Sequence, residues 1–396
     1  MTNWLVPNSM VDFSCKMCGH CCKGWNIYID KNRFEKLQRV LDEKTLNEAI
    51  EIVTEPKIAD IFAKVADEGR ACAFLEENQL CAIHKNYGPD YLPYVCALFP
   101  RRIFVTPRGF EVSVIFSCPE TMKLLLSEKK IEILTNPQGF SFSVSDITLP
   151  AITRRMIDSS DDTKWYFRLE ETFIEILQDR VLTLEVRMAV IGILIYYFRS
   201  YLYDKQRQRD FPELLKNYRV LAKEARALET NKAYQLQVLK NFLDFRKALR
   251  VSEDFYNIAQ EVYQALGLRS ESPLTADNIK LYELKTGELY NEREIGFIAA
   301  NYLVYNMFSK LLFIFGIEGG FFALSFIYAL IRLLAVGVAA FEGKPVDQHI
   351  LLKVIAAVDF NIRHASEFMD HILLSQGIKK YEPENVSVAK SLALLR

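Results

Sequence analysis

After Cys118 the chain contains no further cysteine. All eight (Cys15, Cys18, Cys21, Cys22, Cys72, Cys81, Cys96 and Cys118) fall in the first third of 396 residues. Excess charge is missing too. Lys and Arg number 49 against 50 for Asp and Glu, a formal net charge of −1, with no long run of one sign. That balance gives no electrostatic match to nucleic acid. Residues 1–12 lack the basic leader and unbroken apolar stretch of a signal peptide. The expectation is therefore a cytoplasmic protein, in which reduced thiols are better read as metal ligands than as disulfides. Internal repeats and low-complexity linkers are absent, and strand signals are scarce beyond the first third.

What is present divides into a cysteine-rich module at 1–120 and a body at 121–396. Half the residues are apolar, enough for a sizeable core. The expected fold is mainly α: an N-terminal metal module with short β-hairpins, joined to a large helical body with apolar central helices. Helical spacing marks Lys164–Arg180, Leu184–Tyr203, Pro212–Leu228, Lys232–Arg250, Glu292–Phe315, Gly320–Ala340 and Val346–Leu374. Gly319–Phe341 is long enough to cross a bilayer. It carries Arg332, however, and an arginine at a bilayer centre costs about 2.5–3.5 kcal/mol even on lenient scales. The preceding stretch is interrupted by Asn301, Asn306, Ser309 and Lys310. Both are read as buried core helices, with no stable membrane insertion expected.

Within the module, Phe34, Leu37, Val40 and Leu41 recur at helical spacing behind Asp30, a natural N-cap. Arg102–Thr106 and Phe110–Phe116 flank a Pro107-Arg-Gly turn and predict a hairpin. Folding it about the turn sets Leu98 and Phe99 opposite Phe116 and Ser117, which brings Cys96 and Cys118 to its open end. A second reversal, Cys72 to Cys81, gathers another pair.

Cys15-x2-Cys18-x2-Cys21-Cys22 has two-residue gaps that let successive thiolates face one centre. It is a ferredoxin-type spacing, in which the remaining ligand is remote and followed by proline; Cys118-Pro119 fits. One division places Cys15, Cys18, Cys21 and Cys118 on a [4Fe–4S] cluster. Cys22, Cys72, Cys81 and Cys96, with His84 in reserve, would then hold zinc or a second cluster. A purely structural zinc module is the plainer alternative. Radical S-adenosylmethionine chemistry usually uses C-x3-C-x2-C, which this chain lacks.

Phe13-Ser-Cys15-Lys-Met-Cys18-Gly-His-Cys21-Cys22-Lys-Gly24-Trp25 resembles the opening of the flagellin lysine-N-methylases, within a wider zinc- or iron-chelating cysteine-cluster group. The order that follows is similar as well: Cys72-Ala-Phe-Leu75, Cys81-Ala-Ile-His84, Leu92-Pro-Tyr-Val-Cys96-Ala-Leu-Phe-Pro-Arg101 and Ser117-Cys118-Pro-Glu120. Asn301-Tyr302-Leu303 and Arg363-His364-Ala-Ser366 extend the likeness to about residue 370. The resemblance implies an enzyme that moves methyl groups from S-adenosyl-L-methionine to flagellin lysines and is associated with an iron–sulfur cluster. Without those motifs the cysteine core fits equally a non-enzymatic zinc or iron–sulfur protein, or a redox sensor. No G-x-G-x-G follows a strand, so a Rossmann-type donor site is unsupported.

Lysine methylation needs an apolar slot and a polar group beside the amine. Asn301, Tyr302 and Tyr305 are the catalytic candidates, weighed against simple packing. Arg332 and Arg101 are the cofactor-binding candidates. For Arg332 the plainer reading is a structural ion pair with Glu292, Glu294 or Asp359. Arg101 and Arg102 are positioned to offset thiolate charge. His364, Glu367 and His371 share a helix face and are a weaker metal candidate.

Overall fold

A computed structural model describes residues 3–23, 27–53, 63–65, 67–68, 71–142, 149–203, 210–247, 249, 252–363, 368–377 and 387–395. The chain folds into two compact units, one comprising 1–121 and 132–152, the other 122–131 and 153–396. It is mainly helical, and among the described residues the small sheets are confined to the first unit.

In the first unit a four-stranded sheet runs Arg101–Thr106, Gly109–Val114, Trp4–Pro7, Ile133–Thr135. The expected hairpin forms, with Arg101 opposite Val114 and Thr106 opposite Gly109. At its tip Thr106 Oγ1 donates to Glu111 Oε1 at 2.6 Å, and the Arg108 guanidinium pairs with the same carboxylate at 2.9 Å. The ladder stops at Arg101 rather than continuing to Leu98, because residues Tyr94–Leu98 wind into a short helix.

A second layer is built on three short strands, Tyr28–Ile29, Ala63–Val65 and Ile50–Ile52. Helix Lys31–Gln38 opens at Asp30, whose carboxylate accepts the Arg33 N–H, as its sequence predicts. Asp42 caps Glu43–Ala49 in the same way. Ile27, Ile29, Phe34, Leu37, Ile50, Val65, Phe74, Ile83 and Leu92 form the core here, and Cys72, Cys81 and Cys96 pack against it. These three thiols thus stand on a folded apolar platform.

The second unit is organised on helix Gly316–Glu342, buried almost without a break from Gly319 to Ala339. Among the described residues it is the one helix long and apolar enough to cross a membrane, and its most apolar window is wholly enclosed by protein. Around it pack Glu253–Ala265, Gln348–Val358, Val388–Leu395 and Leu311–Ile314. Gly320 permits the last of these to approach, since a Cβ there would meet the backbone of Leu311 and Leu312. Capping boxes at Ser160 and Thr275 and an N-cap at Ser252 start other helices.

Three expected helices are interrupted. Pro212–Leu228 resolves into Phe211–Lys216, a tight turn at Tyr218–Leu221 and Ala222–Ala227; Asn217 breaks it, its side chain turned back onto Glu213. Glu292–Phe315 stops at Phe308, because Lys310 takes a left-handed conformation (φ 69°) and buries its ammonium. Val346–Leu374 divides at a π-helical turn, Asp359–Arg363. That turn directs Asp359 to the Tyr302 hydroxyl, which donates to it at 2.9 Å.

Candidate functional site

The N-terminal run is shaped for sulfur ligands before any metal is considered. Met17 (φ 51°) and Gly19 (φ 69°) both adopt left-handed backbone, so the segment coils, and Cys15 Sγ accepts the Met17 N–H at 3.3 Å. Gly19 passes so close to the second reversal that a Cβ would lie 2.7 Å from the Gln79 carbonyl oxygen. That reversal is closed by Leu75 N–H to Cys72 O and Ala82 N–H to Phe74 O. It delivers Cys81 to the start of helix Ala82–Tyr87.

All eight cysteines border one cavity of about 430 Å³, together with His20, His84, Arg101, Phe13, Phe74 and Phe142. None forms a disulfide, and they grade from exposed Cys15 and Cys18 to buried Cys118. The Cys21 thiol is pushed far up by its hydrogen bond with adjacent Cys22 and then by burial. Burial raises Cys96 well above an ordinary thiol, with Cys21, Cys72 and Cys81 adding to it. Cys118 is raised by burial, partly opposed by N–H groups of Thr121 and Glu120. Cys81 behaves alike, opposed by His84 and Ile83 N–H groups. Crowded neutral thiols of this kind give up protons when a cation replaces them.

Cys21 is the link within the set, since it acts electrostatically on Cys118, Cys96 and Cys81 alike. Among the described residues, no three His, Cys, Asp or Glu side chains stand close enough to hold one ion as they are. The donors surround a space rather than a point. An all-thiol donor set on such a space fits iron–sulfur or zinc ligation.

Arg101 lines the same cavity. Its guanidinium lies 5.1 Å from the Phe13 ring and 4.8 Å from the Phe142 ring, and Nη2 donates to the Phe13 carbonyl at 3.1 Å. Burial lowers its pKa and Cys15 opposes that shift. Arg102 lies over Phe104 instead.

The candidates in the second unit are buried and largely committed. Asn301 Nδ2 donates to the Leu125 and Ser127 carbonyls at 3.0 and 2.8 Å. Tyr302 is held by Asp359, and Tyr305 is fully enclosed. Arg332 pairs not with Glu292, Glu294 or Asp359 but with Glu185, at 2.9 Å. Asp359 is taken by Tyr302, and Glu294 is exposed. His371 Nδ1 meets Arg246 Nη1 at 3.1 Å; His364 and Glu367 lie outside the described residues.

The profile of the FliB lysine N-methylase C-terminal domain matches residues 170–390. The chain belongs to the FliB lysine N-methylase family. A zinc- or iron-chelating CxxCxxCC domain matches residues 14–121, the stretch that holds every cysteine. The flagellar biosynthetic protein FliU of Salmonella muenchen is 27% identical over 34% of this chain and 83% of its own length. Lysine-N-methylases of Salmonella choleraesuis and Salmonella typhimurium are each 27% identical over 31% of this chain. The match spans 32% of the length of those two methylases. No solved structure matches the chain.

Sequence reasoning missed two buried polar groupings in the second unit of this chain. One joins Lys310, Glu170 and Tyr166. The other surrounds Arg332 with Tyr282, Tyr290, Tyr328 and Glu185. Lone polar residues in apolar stretches, such as Lys310 and Arg332, were the available signal; their carboxylate partners lie more than a hundred positions away in the chain.

Proposed function

We propose that this chain is a cytoplasmic, S-adenosyl-L-methionine-dependent protein-lysine N-methylase acting on flagellin or a similar protein, with an iron–sulfur cluster in the cysteine cavity. The observation that carries the reading is the family match across 170–390, alongside a cavity onto which all eight cysteines open. Nucleic acid has no part in it, and the apolar helix Gly316–Glu342 serves as core rather than as an anchor.

The chemistry sets what the protein must supply. A lysine amine with a pKa near 10.4 is neutral in only about one molecule in 2,500 at pH 7. The enzyme must desolvate or deprotonate it and align it with the methyl carbon. The Tyr302 hydroxyl is given to Asp359 and the Asn301 amide nitrogen to two carbonyls, so neither of these donors is free for the amine. When bound, the cluster supplies a redox-active thiolate-ligated group. Cys15, Cys18, Cys21 and Cys118 are its proposed ligands. Cys22, Cys72, Cys81 and Cys96 remain for a second metal such as zinc, and Arg101 offsets part of the thiolate charge.

The test is direct. Anaerobically purified protein, methyl-labelled donor and flagellin are incubated, and label is sought on lysine by peptide mass analysis. Label on lysine supports the reading; none, with the metal centre intact, overturns it.

A further inference from the structure

Most buried polar groups of the helical unit have partners, but three that lack one gather in the same place. Tyr282 Oη, Tyr290 Oη and Arg332 Nε are each buried without a hydrogen bond among the described residues. Tyr282 is 1% exposed and Arg332 3%. Tyr282 comes from helix Ala276–Leu289, Tyr290 directly follows it, and Arg332 comes from Gly316–Glu342. Arg332 acts electrostatically on both tyrosines, and Tyr290 on Tyr282 and Glu292. One buried orphan is common enough; three converging on one locus require an explanation.

The rest of the locus is satisfied or nearly so. Arg332 Nη1 donates to Glu185 at 2.9 Å and Nη2 to the Leu395 carbonyl at 3.1 Å. Its guanidinium lies 5.4 Å from the Tyr328 ring. Arg187 is spent on the Leu182 and Leu177 carbonyls. Glu292 accepts the Leu184 N–H through one oxygen, while the other receives only a long bond of 3.4 Å from Tyr328. Burial holds the Glu292 carboxyl above the usual range. Two arginines stand against two glutamates, so the locus has no net charge to attract a simple ion. Tyr290 and Glu292 are only half-buried, which places them at its edge.

Three idle donors call for one acceptor with several lone pairs, and a carboxylate has about four. The weakly served Glu292 oxygen calls for a cationic donor. We infer that this locus binds an α-amino-acid head group, its carboxylate on Arg332 Nε, Tyr282 and Tyr290 and its ammonium on Glu292. Resting on the methylase reading above, the head group is that of S-adenosyl-L-methionine.

Calorimetry on the full chain tests it with two probes: S-adenosylhomocysteine, which carries the head group, and 5′-methylthioadenosine, which lacks it. Tyr282→Phe and Tyr290→Phe each delete one orphan hydroxyl and nothing else. They should weaken S-adenosylhomocysteine by about tenfold or more, the worth of a hydrogen bond to a charged group, and leave methylthioadenosine unchanged. The ligand-free melting temperature should hold or rise, because a buried unpaired hydroxyl has been removed. Unchanged S-adenosylhomocysteine affinity in both variants overturns the site. Equal binding of both probes by the wild type also overturns it while sparing the donor assignment. Failure of the wild type to bind either probe removes the donor assignment and the site together.

Discussion

Lys310 places its ammonium 2.9 and 3.0 Å from the two carboxylate oxygens of Glu170, with both side chains essentially sealed from solvent. Tyr166 donates to the same carboxylate, and the Lys310 ammonium lies 4.2 Å from the Phe308 ring. Removing one charge strands the other, so Glu170→Gln or Lys310→Met alone should cost about 3–5 kcal/mol. Replacing both by apolar residues of similar volume should recover much of that loss, because the desolvation of both ions disappears. Urea melts of the two single variants and the double variant measure it. A double variant no better than either single would show that the pair, rather than its packing, holds the turn after Phe308.

Asp244 ties three elements with one carboxylate. It accepts from Lys240 at 2.6 Å, from Tyr263 at 2.6 Å and from Ser270 at 2.9 Å. Burial alone would raise its pKa, but the Lys240, Tyr263 and Ser270 hydrogen bonds outweigh it, and the group titrates below an ordinary aspartate. A depressed folded pKa gives stability that is complete above the unfolded value, about 3.9, and lost as pH falls through the folded one. The wild type should therefore lose stability on acidification below about pH 4. Asp244→Asn should be less stable at pH 7, by about 2 kcal/mol, and show a shallower acid limb. Melting curves between neutral and strongly acidic pH decide it; parallel curves would exclude Asp244 from the acid response.

Much of this was legible in the chain. The Asp30 cap, the hairpin through Pro107, the reversal from Cys72 to Cys81 and the helix at Leu184–Tyr203 follow from local chemistry, and local chemistry produced them. Arg332 was legible as a buried charge but not its partner, because Glu185 lies 147 positions away and nothing local selects it over Glu292. The break at Lys310 was illegible for the same reason: the residue leaves the helix to reach Glu170, 140 positions earlier. The helices Glu253–Ala265, Ala276–Leu289 and Val388–Leu395 were not delimited, although Ser252 and Thr275 were available as caps. The orphan hydroxyls of Tyr282 and Tyr290 have no sequence signature at all, since an unsatisfied group is defined by what fails to approach it.

The close pass of Gly19 over Gln79 couples the two cysteine-bearing loops and makes the metal centre testable without touching a ligand. Gly19 has φ 69°, and a side chain there would strike backbone rather than a flexible side-chain end. Gly19→Ala should force the loops apart and lower the iron bound per chain. Cys18→Ala, which removes a donor outright, should bleach the broad visible absorbance expected of thiolate-bound iron–sulfur. Metal binding contributes folding free energy to a region built from short elements, so both variants should loosen the first unit. Hydrogen exchange should show this as lost protection in residues 1–121, with the helices of the second unit unaffected. Iron analysis on anaerobic protein separates the metals: iron with visible colour supports the cluster, whereas stoichiometric zinc in a colourless protein would assign the cavity to zinc. Wild-type iron content in Gly19→Ala would mean that the Gly19–Gln79 approach does not govern the cavity.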